Sequence, residues 1–336
     1  MSAVVDSGAE SGAALPGRAA AASGIRAGVL AGAIGLAIII ATGALAFAPL
    51  GPDYLGRGVF AAFVAATVGA MAAAALTRGP LIALPRAPTT LVYAALVAQL
   101  AAGAPPGWTF ADLYPSLSLT VVLAGALLWI ASRSRLIEAL RFMPYPVVAG
   151  FVNGTSLLII WSQVAPLLGL PGSIGLHGVR SALAEFQPVT AALGVGTIAL
   201  IWGLMRFAPR VPAALVAMAA ATLAYQYVAA AFPQARLGPV VGYLGIPAPG
   251  DFLLPLMWEP LPSRAFVATL STLLPHALLI ALVSALESAL SAQAVGERTG
   301  SRLTLRHVLA AQGAGNLASG LCGGLPVAVS PTSSIM

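Results

Sequence analysis

Residues 79–91 read Gly79-Pro80-Leu81-Ile82-Ala83-Leu84-Pro85-Arg86-Ala87-Pro88-Thr89-Thr90-Leu91. Apart from Arg86 and the two threonines the stretch is apolar, yet three prolines fall within nine residues. Each proline removes an N–H and clashes with the turn before it, so no regular helix runs through this stretch. Pro88 suits the first turn of a helix, and plain apolar sequence follows it. The stretch therefore predicts an extended segment, then a helix that starts part-way across an apolar layer. Non-helical backbone at membrane depth must be buried in protein or line a cavity.

The same grammar returns at the end of the chain: Gly323-Gly324-Leu325-Pro326-Val327-Ala328-Val329-Ser330-Pro331-Thr332-Ser333-Ser334. Ala87-Pro88-Thr89-Thr90 matches Ser330-Pro331-Thr332-Ser333, with Pro88 and Pro331 lying 243 residues apart. Working outward, spans of about 20 mainly apolar residues, the length that crosses a bilayer, occupy 25–48, 58–77, 80–103, 112–132, 144–169, 187–207, 211–232, 265–293 and 305–322. A tenth begins near 323. The offset from the first span to the eighth is 240, so spans 8, 9 and 10 read as a second copy of spans 1, 2 and 3. A repeat of seven spans inverts the second copy in the membrane. Paired broken segments at matching repeat positions point to a transporter binding site. The plainer alternative is that Pro and Gly only kink ordinary membrane helices.

Composition agrees with a polytopic membrane protein. The 336 residues are 59% hydrophobic and 8% charged, against about 25% charged in soluble domains. That excludes a soluble enzyme, a disordered regulator and a nucleic-acid binder. All sixteen basic residues are Arg, scattered between apolar runs rather than gathered into a phosphate-tracking patch. With the N-terminus inside, eleven Arg fall in inside segments and four outside, the bias that sets orientation. Arg86 belongs to neither set. Cys322 is the single cysteine, and His177, His276 and His307 lie far apart, so no metal-ligand spacing appears. Residues 1–24, rich in Ala, Gly and Ser, read as a disordered cytoplasmic tail without a secretory h-region.

Three further stretches carry a resemblance. Phe142-Met143-Pro144-Tyr145-Pro146-Val147-Val148-Ala149-Gly150-Phe151-Val152-Asn153-Gly154 opens span 5. Ala285-Leu286-Glu287-Ser288-Ala289-Leu290-Ser291-Ala292 lies in span 8. Gln312-Gly313-Ala314-Gly315-Asn316, followed by Gly323-Gly324-Leu325-Pro326, closes the set. In order and spacing they resemble the SulP anion transporters (sulfate permeases, relatives of animal prestin), over roughly 25–336. The resemblance implies an all-α polytopic fold of fourteen spans in two inverted repeats of seven. A core of spans 1–4 and 8–11 would move against a gate of spans 5–7 and 12–14, with a cytoplasmic STAS domain usually following. On that frame residues 25–336 are the first part of the transmembrane domain, and the chain reads as an N-terminal fragment of a longer product or as a truncated gene. A homodimer at full length, in a bacterial inner membrane, is the matching expectation. Three departures bear on substrate and coupling. Thr42-Gly43 precede Ala46-Phe47-Ala48 in span 1, Arg86-Ala87-Pro88-Thr89 stands where S-G-P-T is usual, and Ser333-Ser334 stands where an Arg is frequent.

These readings give a mechanism. The two half-helices should face each other with their N-termini meeting near mid-membrane. Each carries roughly +0.5 charge and unpaired N–H groups, a ready anion site. The expected substrate-binding residues are Arg86, Pro88, Thr89, Thr90, Ser330, Thr332 and Ser333. Arg86 either supplies the site's cation or forms a structural pair with Glu287, or snorkels to an interface. Glu287, the acidic residue inside an apolar span, is either a coupling residue for H+ or Na+ or a satisfied buried hydrogen-bonder. Ionised, it leaves the site near +1; protonated, near +2, which would suit a divalent anion. Gln99, Asn153, Gln163, Gln312 and Asn316 read mainly as inter-helix hydrogen-bonders. The expected function is secondary active transport of a small anion (sulfate, bicarbonate or dicarboxylate) by alternating access, as a symporter, with no cofactor beyond the coupling ion. A nucleobase- or ascorbate-type transporter and a non-transporting remnant are the alternatives. An intramembrane enzyme lacks the paired nucleophile and base it would need.

Overall fold

The fold is seen in a computed structural model. It describes residues 18–77, 79–104, 106–107, 109–134, 145–170, 186–209, 211–234, 237, 263–300 and 303–334. In chain order these form α1 (Arg18–Phe47), α2 (Leu55–Val64), a π-helical turn (Ala65–Gly69), α3 (Ala70–Leu76), β1 (Ala83–Pro85) and α4 (Ala87–Gly103). Then come α5 (Phe110–Arg133), α6 (Tyr145–Leu167), α7 (Pro188–Phe207), α8 (Ala213–Ala231), α9 (Ser263–Thr299), α10 (Leu305–Leu321), β2 (Val327–Val329) and α11 (Pro331–Ser334). Six helices among the described residues are long and apolar enough to cross a membrane. The expected spans agree with these limits to within a few residues. One difference is at the start: α1 begins at Arg18, inside the stretch expected as a tail over 1–24, where an alanine run favours helix. Residues 1–17 lie outside the described residues.

The two breaks meet as a two-stranded antiparallel ribbon, Ala83 opposite Val329, Leu84 opposite Ala328 and Pro85 opposite Val327. Pro85 has no N–H to exchange, so it takes a non-hydrogen-bonded position. The ladder bonds then fall at Leu84–Ala328 and one step on, where the Ser330 N–H donates to the Ile82 carbonyl at 2.8 Å. A two-stranded ribbon still has outward-facing backbone groups, which in a bilayer must be satisfied by protein. Asn316 of α10 does this for Val327 from both sides, its Oδ1 accepting from the Val327 N–H at 3.0 Å and its Nδ2 donating to the Val327 carbonyl at 2.8 Å. Ser284 of α9 also donates to that carbonyl, and Ser288 accepts from the Val329 N–H. The Ser319 hydroxyl donates to the Leu325 carbonyl, and the Leu325 N–H donates to the Ala61 carbonyl.

Helices can supply these groups only if their backbones come close, and glycine allows that. A Cβ on Gly125 of α5 would lie 2.9 Å from the Gly313 carbonyl oxygen of α10, and one on Gly313 would lie 2.8 Å from the Trp129 nitrogen of α5. Gly43 and Gly58 bring α1 and α2 together in the same way. Around this frame lies an apolar core including Phe47, Tyr93, Leu96, Leu117, Leu128, Leu273, Ile280 and Leu309. By contrast α7 and α8 pack on each other and leave Trp202, Met205, Phe207, Leu223 and Tyr227 exposed. In a bilayer such side chains face lipid, so their exposure costs nothing.

Three substitutions test the frame. Gly125→Val should abolish folded protein in detergent, since α5 and α10 would have to separate. Gly154→Val, with nothing within 4 Å of its added Cβ, should leave size-exclusion behaviour unchanged. Asn316→Ala should cost about 1–3 kcal/mol by leaving the Val327 N–H unpaired, read as a lower midpoint in a thermal melt. An unchanged midpoint would mean that the ribbon does not depend on Asn316.

Candidate functional site

The site grows out of the junction between β1 and α4. Arg86 occupies the N-cap position of α4 with extended backbone (φ −124°, ψ 143°), and Pro88 sits in the first turn where its missing N–H is no loss. The Thr89 hydroxyl donates to the Arg86 carbonyl at 2.9 Å, so its proton is already used. Thr90 is fully buried, and its hydroxyl has no hydrogen-bond partner. Of the two threonines expected to bind substrate at this junction, Thr90 is therefore the one whose hydroxyl is unpartnered, though it is buried.

Arg86 reaches across to α9. Its Nε donates to Oε1 of Glu287 at 3.3 Å, with 25% of the Arg86 side chain exposed and 6% of the Glu287 side chain. Oε2 of Glu287 is buried without a partner. A lone Arg in the membrane interior costs at least about 2.5 kcal/mol on insertion scales; pairing with Glu287 offsets that cost. The sequence left open whether Arg86 pairs with Glu287 or stands free, and the structure brings them together.

The β2–α11 junction holds the remaining expected residues. Ser330 is buried and its hydroxyl donates to Ser333 Oγ at 3.2 Å. Ser334 donates to the Ser330 carbonyl and accepts from the Ile82 N–H, so it staples the junction to the start of β1. The side chain of Thr332 lies outside the described residues. Both junctions rest on α9, through Arg86–Glu287 on one side and Val329–Ser288 on the other.

One expectation changes. The two half-helix N-termini were expected to meet. Instead the strands overlap side by side, so α4 and α11 leave the ribbon from opposite ends. Arg86 stands one residue past Pro85 and Ser330 opposite Ile82. At about 3.3 Å per strand residue, the two N-caps are about 13 Å apart along the ribbon. The long Arg86 side chain, rather than direct juxtaposition of helix ends, gathers charge at the α4 junction. Ser284, Ser288 and Asn316 were not singled out as parts of the site. Asn316 was expected to bond between helices, and it holds the strand instead. Ser284 and Ser288 lie four residues apart on α9, one helical face, and that spacing beside Glu287 was the available signal. Among the other polar residues, Gln99, Asn153 and Gln163 are exposed, and His276 faces the Thr272 carbonyl of its own helix.

Comparison with known proteins places this geometry. The bicarbonate transporter BicA of Picosynechococcus sp. is 32% identical over 207 residues, covering 60% of this chain and 34% of that protein. The Probable sulfate transporter MT1781 of Mycobacterium tuberculosis is 29% identical over 262 residues, covering 75% of this chain and 43% of that protein. The chain thus spans less than half the length of these curated relatives. Among solved structures, the transmembrane domain of a cyanobacterial BicA superposes with a TM-score of 0.73 at 26% identity, covering 92% of this chain and 74% of that one. SLC26A9 superposes with a TM-score of 0.69 at 13% identity, over 93% of this chain and 50% of that one, a likeness of fold. The sequence model of the sulfate permease family matches residues 25–336. A multi-pass helical chain with these matches belongs to the sulfate permease family of anion transporters.

Proposed function

We propose that this chain forms the substrate-handling part of a secondary active transporter that moves a small inorganic or carboxylate anion by alternating access, coupled to H+ or Na+. One observation carries the reading: a charged pair, Arg86 with Glu287, sits where a half-helix begins inside the membrane. There the α4 N-terminus contributes about +0.5 charge, Thr90 offers an unpartnered hydroxyl, and low local dielectric strengthens each contact. Bicarbonate and sulfate, the anions named for the relatives, are both small oxyanions of this kind. The family match favours an anion over a nucleobase or ascorbate.

The ribbon register supports the inverted-repeat reading. Under the 243-residue offset Leu84 corresponds to Val327 and Pro85 to Ala328. The observed pairs are Leu84 with Ala328 and Pro85 with Val327. The pairing is reciprocal, as a twofold relation requires. In such a transporter one repeat-built unit rocks against the other around a fixed site. Here α1–α5 and α9–α11 make the core unit, and α6–α8 belong to the opposing gate. Glu287 is the coupling residue, its unpartnered Oε2 receiving the proton or cation. The protein lies in the cell membrane with a cytoplasmic N-terminus, and its full-length form is a homodimer.

Uptake by liposomes containing the gene product that carries this chain tests the reading. Arg86→Ala should weaken anion affinity about tenfold or more at equal incorporation; an unchanged affinity would remove Arg86 from the site. Glu287→Gln should lose the dependence of uptake on pH and Na+, and a variant that kept both would remove Glu287 from coupling. For orientation, in a Cys322→Ser background, a cysteine at Asp53 should label from outside intact cells. One at Thr304 should label only after permeabilisation. The reverse pattern would invert the topology.

A further inference from the structure

We propose that the end of α5 and the start of α10 form a binding site for the headgroup phosphate of an anionic phospholipid, held between Arg133 and Arg306. The inference stands apart from the anion-transport reading and uses only the placement of these two helices in a membrane. They run antiparallel and touch backbone to backbone: a Cβ on Gly313 of α10 would lie 2.8 Å from the Trp129 nitrogen of α5, and one on Gly320 would lie 2.7 Å from the Val122 nitrogen. That contact fixes what lies beyond it. Arg133 is one turn past Trp129 on α5. Arg306 is seven residues before Gly313 on α10, about two turns and so nearly the same face. Both arginines therefore stand along one seam, about 4–5 Å apart in level at 1.5 Å per residue.

Both side chains are exposed. Among the described residues the ion pair is Arg86 with Glu287, so neither seam arginine has a carboxylate partner there. Helix chemistry accounts for only one of them. A cation at the C-terminus of α5 is favoured by the helix dipole, and a cation in the first turn of α10 is disfavoured. Arg306 sits in that turn all the same, with no acidic residue and no side-chain cap beside it. Two cations on one seam also repel each other. A phosphate between them offsets both costs, through charge-assisted hydrogen bonds. The carboxylate of Glu297, at the end of α9, accepts from Gln293 and has Arg298 next to it in sequence. Beyond α5 the sequence carries Arg135, Glu138 and Arg141, one more net positive charge.

The surroundings fit a lipid. The Arg133 guanidinium lies 4.1 Å from the centroid of the Trp129 ring, and its Nη1 donates to the Trp129 carbonyl at 3.3 Å. The guanidinium is thus held in place while its other N–H groups make no hydrogen bond to a described residue. Trp at the end of a membrane span marks the headgroup level. Ile130, three residues before Arg133 and on the same helix face, is 63% exposed. It offers apolar surface to an acyl chain next to the charged groups. Both helix ends lie on the membrane face that carries eleven of the sixteen arginines. Basic pockets between helices on that face suit anionic headgroups.

The test uses the purified gene product that carries this chain, in detergent, and counts bound lipid by native mass spectrometry. Phosphatidylglycerol and phosphatidylcholine of equal chain length are the probes. Wild-type protein should retain phosphatidylglycerol in preference to phosphatidylcholine. Arg306→Gln should weaken that preference about fivefold, and Arg133→Gln/Arg306→Gln about tenfold or more. Arg206→Gln removes one charge from the end of α7, where Arg206 lies over the Phe207 ring, and should leave the preference unchanged. Added inorganic phosphate should not displace the lipid. Wild-type protein with no preference for phosphatidylglycerol would overturn the site, whether or not the variants fold. An undiminished preference in the double variant would do the same. A loss in Arg206→Gln equal to that in Arg306→Gln would reduce the effect to general surface charge, and displacement by inorganic phosphate would make this a free-anion site. Either result overturns the proposal.

Discussion

A peptide group inside a bilayer has no water to bond, so every break in a membrane helix must find its partners in protein. Residues 81–86 and 323–330 are such breaks, and the molecule is arranged around satisfying them. Pairing the two strands settles the inward-facing groups. Asn316, Ser284, Ser288 and Ser319 settle outward-facing ones. Those side chains must arrive from α9 and α10 at hydrogen-bond distance, which fixes how closely the helices approach. The contact between Gly125 and Gly313 is the consequence, since any Cβ there would hold α5 and α10 apart. Core packing, ribbon and site are thus one construction.

The same constraint explains why charge sits where it does. The ribbon lets α4 begin in the membrane interior, and its first turn then presents a partial positive charge to a buried space. Arg86 strengthens that charge, and Glu287 limits it. Without the ribbon neither residue would be held at that depth. Without the pair the junction would carry either an isolated cation or an isolated carboxylate, each costly in a bilayer. The exposed apolar surfaces of α7 and α8 contrast with this core, as expected of helices that meet lipid rather than a fixed interior.

The spans and the breaks were legible because hydropathy and proline act locally. Pro80, Pro85 and Pro88 stop a helix whatever surrounds them, and the second copy of that pattern at 323–334 identified the partner strand. The family motifs in spans 5, 8 and 9 were legible for the same reason. What the sequence left open were matters of reach between distant residues. Arg86 and Glu287 lie 201 positions apart, and no periodicity says whether their side chains touch. Asn316 reads as any polar residue between helices until the Val327 peptide is placed beside it. The overlap of the strands, which keeps the α4 and α11 N-caps apart, depends on register, and two proline-marked segments are compatible with several registers.

The central claim is that register, and cysteine pairs measure it directly. In a Cys322→Ser background, Ala83→Cys with Val329→Cys places two cysteines directly opposite at a non-hydrogen-bonded position, about 4.5 Å apart at Cα, within disulfide range. Mild oxidation should cross-link this pair readily, and Ala83→Cys with Val327→Cys, two residues out of step, should cross-link poorly. Preferential cross-linking of 83 with 327, or of neither pair in protein that still folds, would contradict the ribbon and the site built upon it.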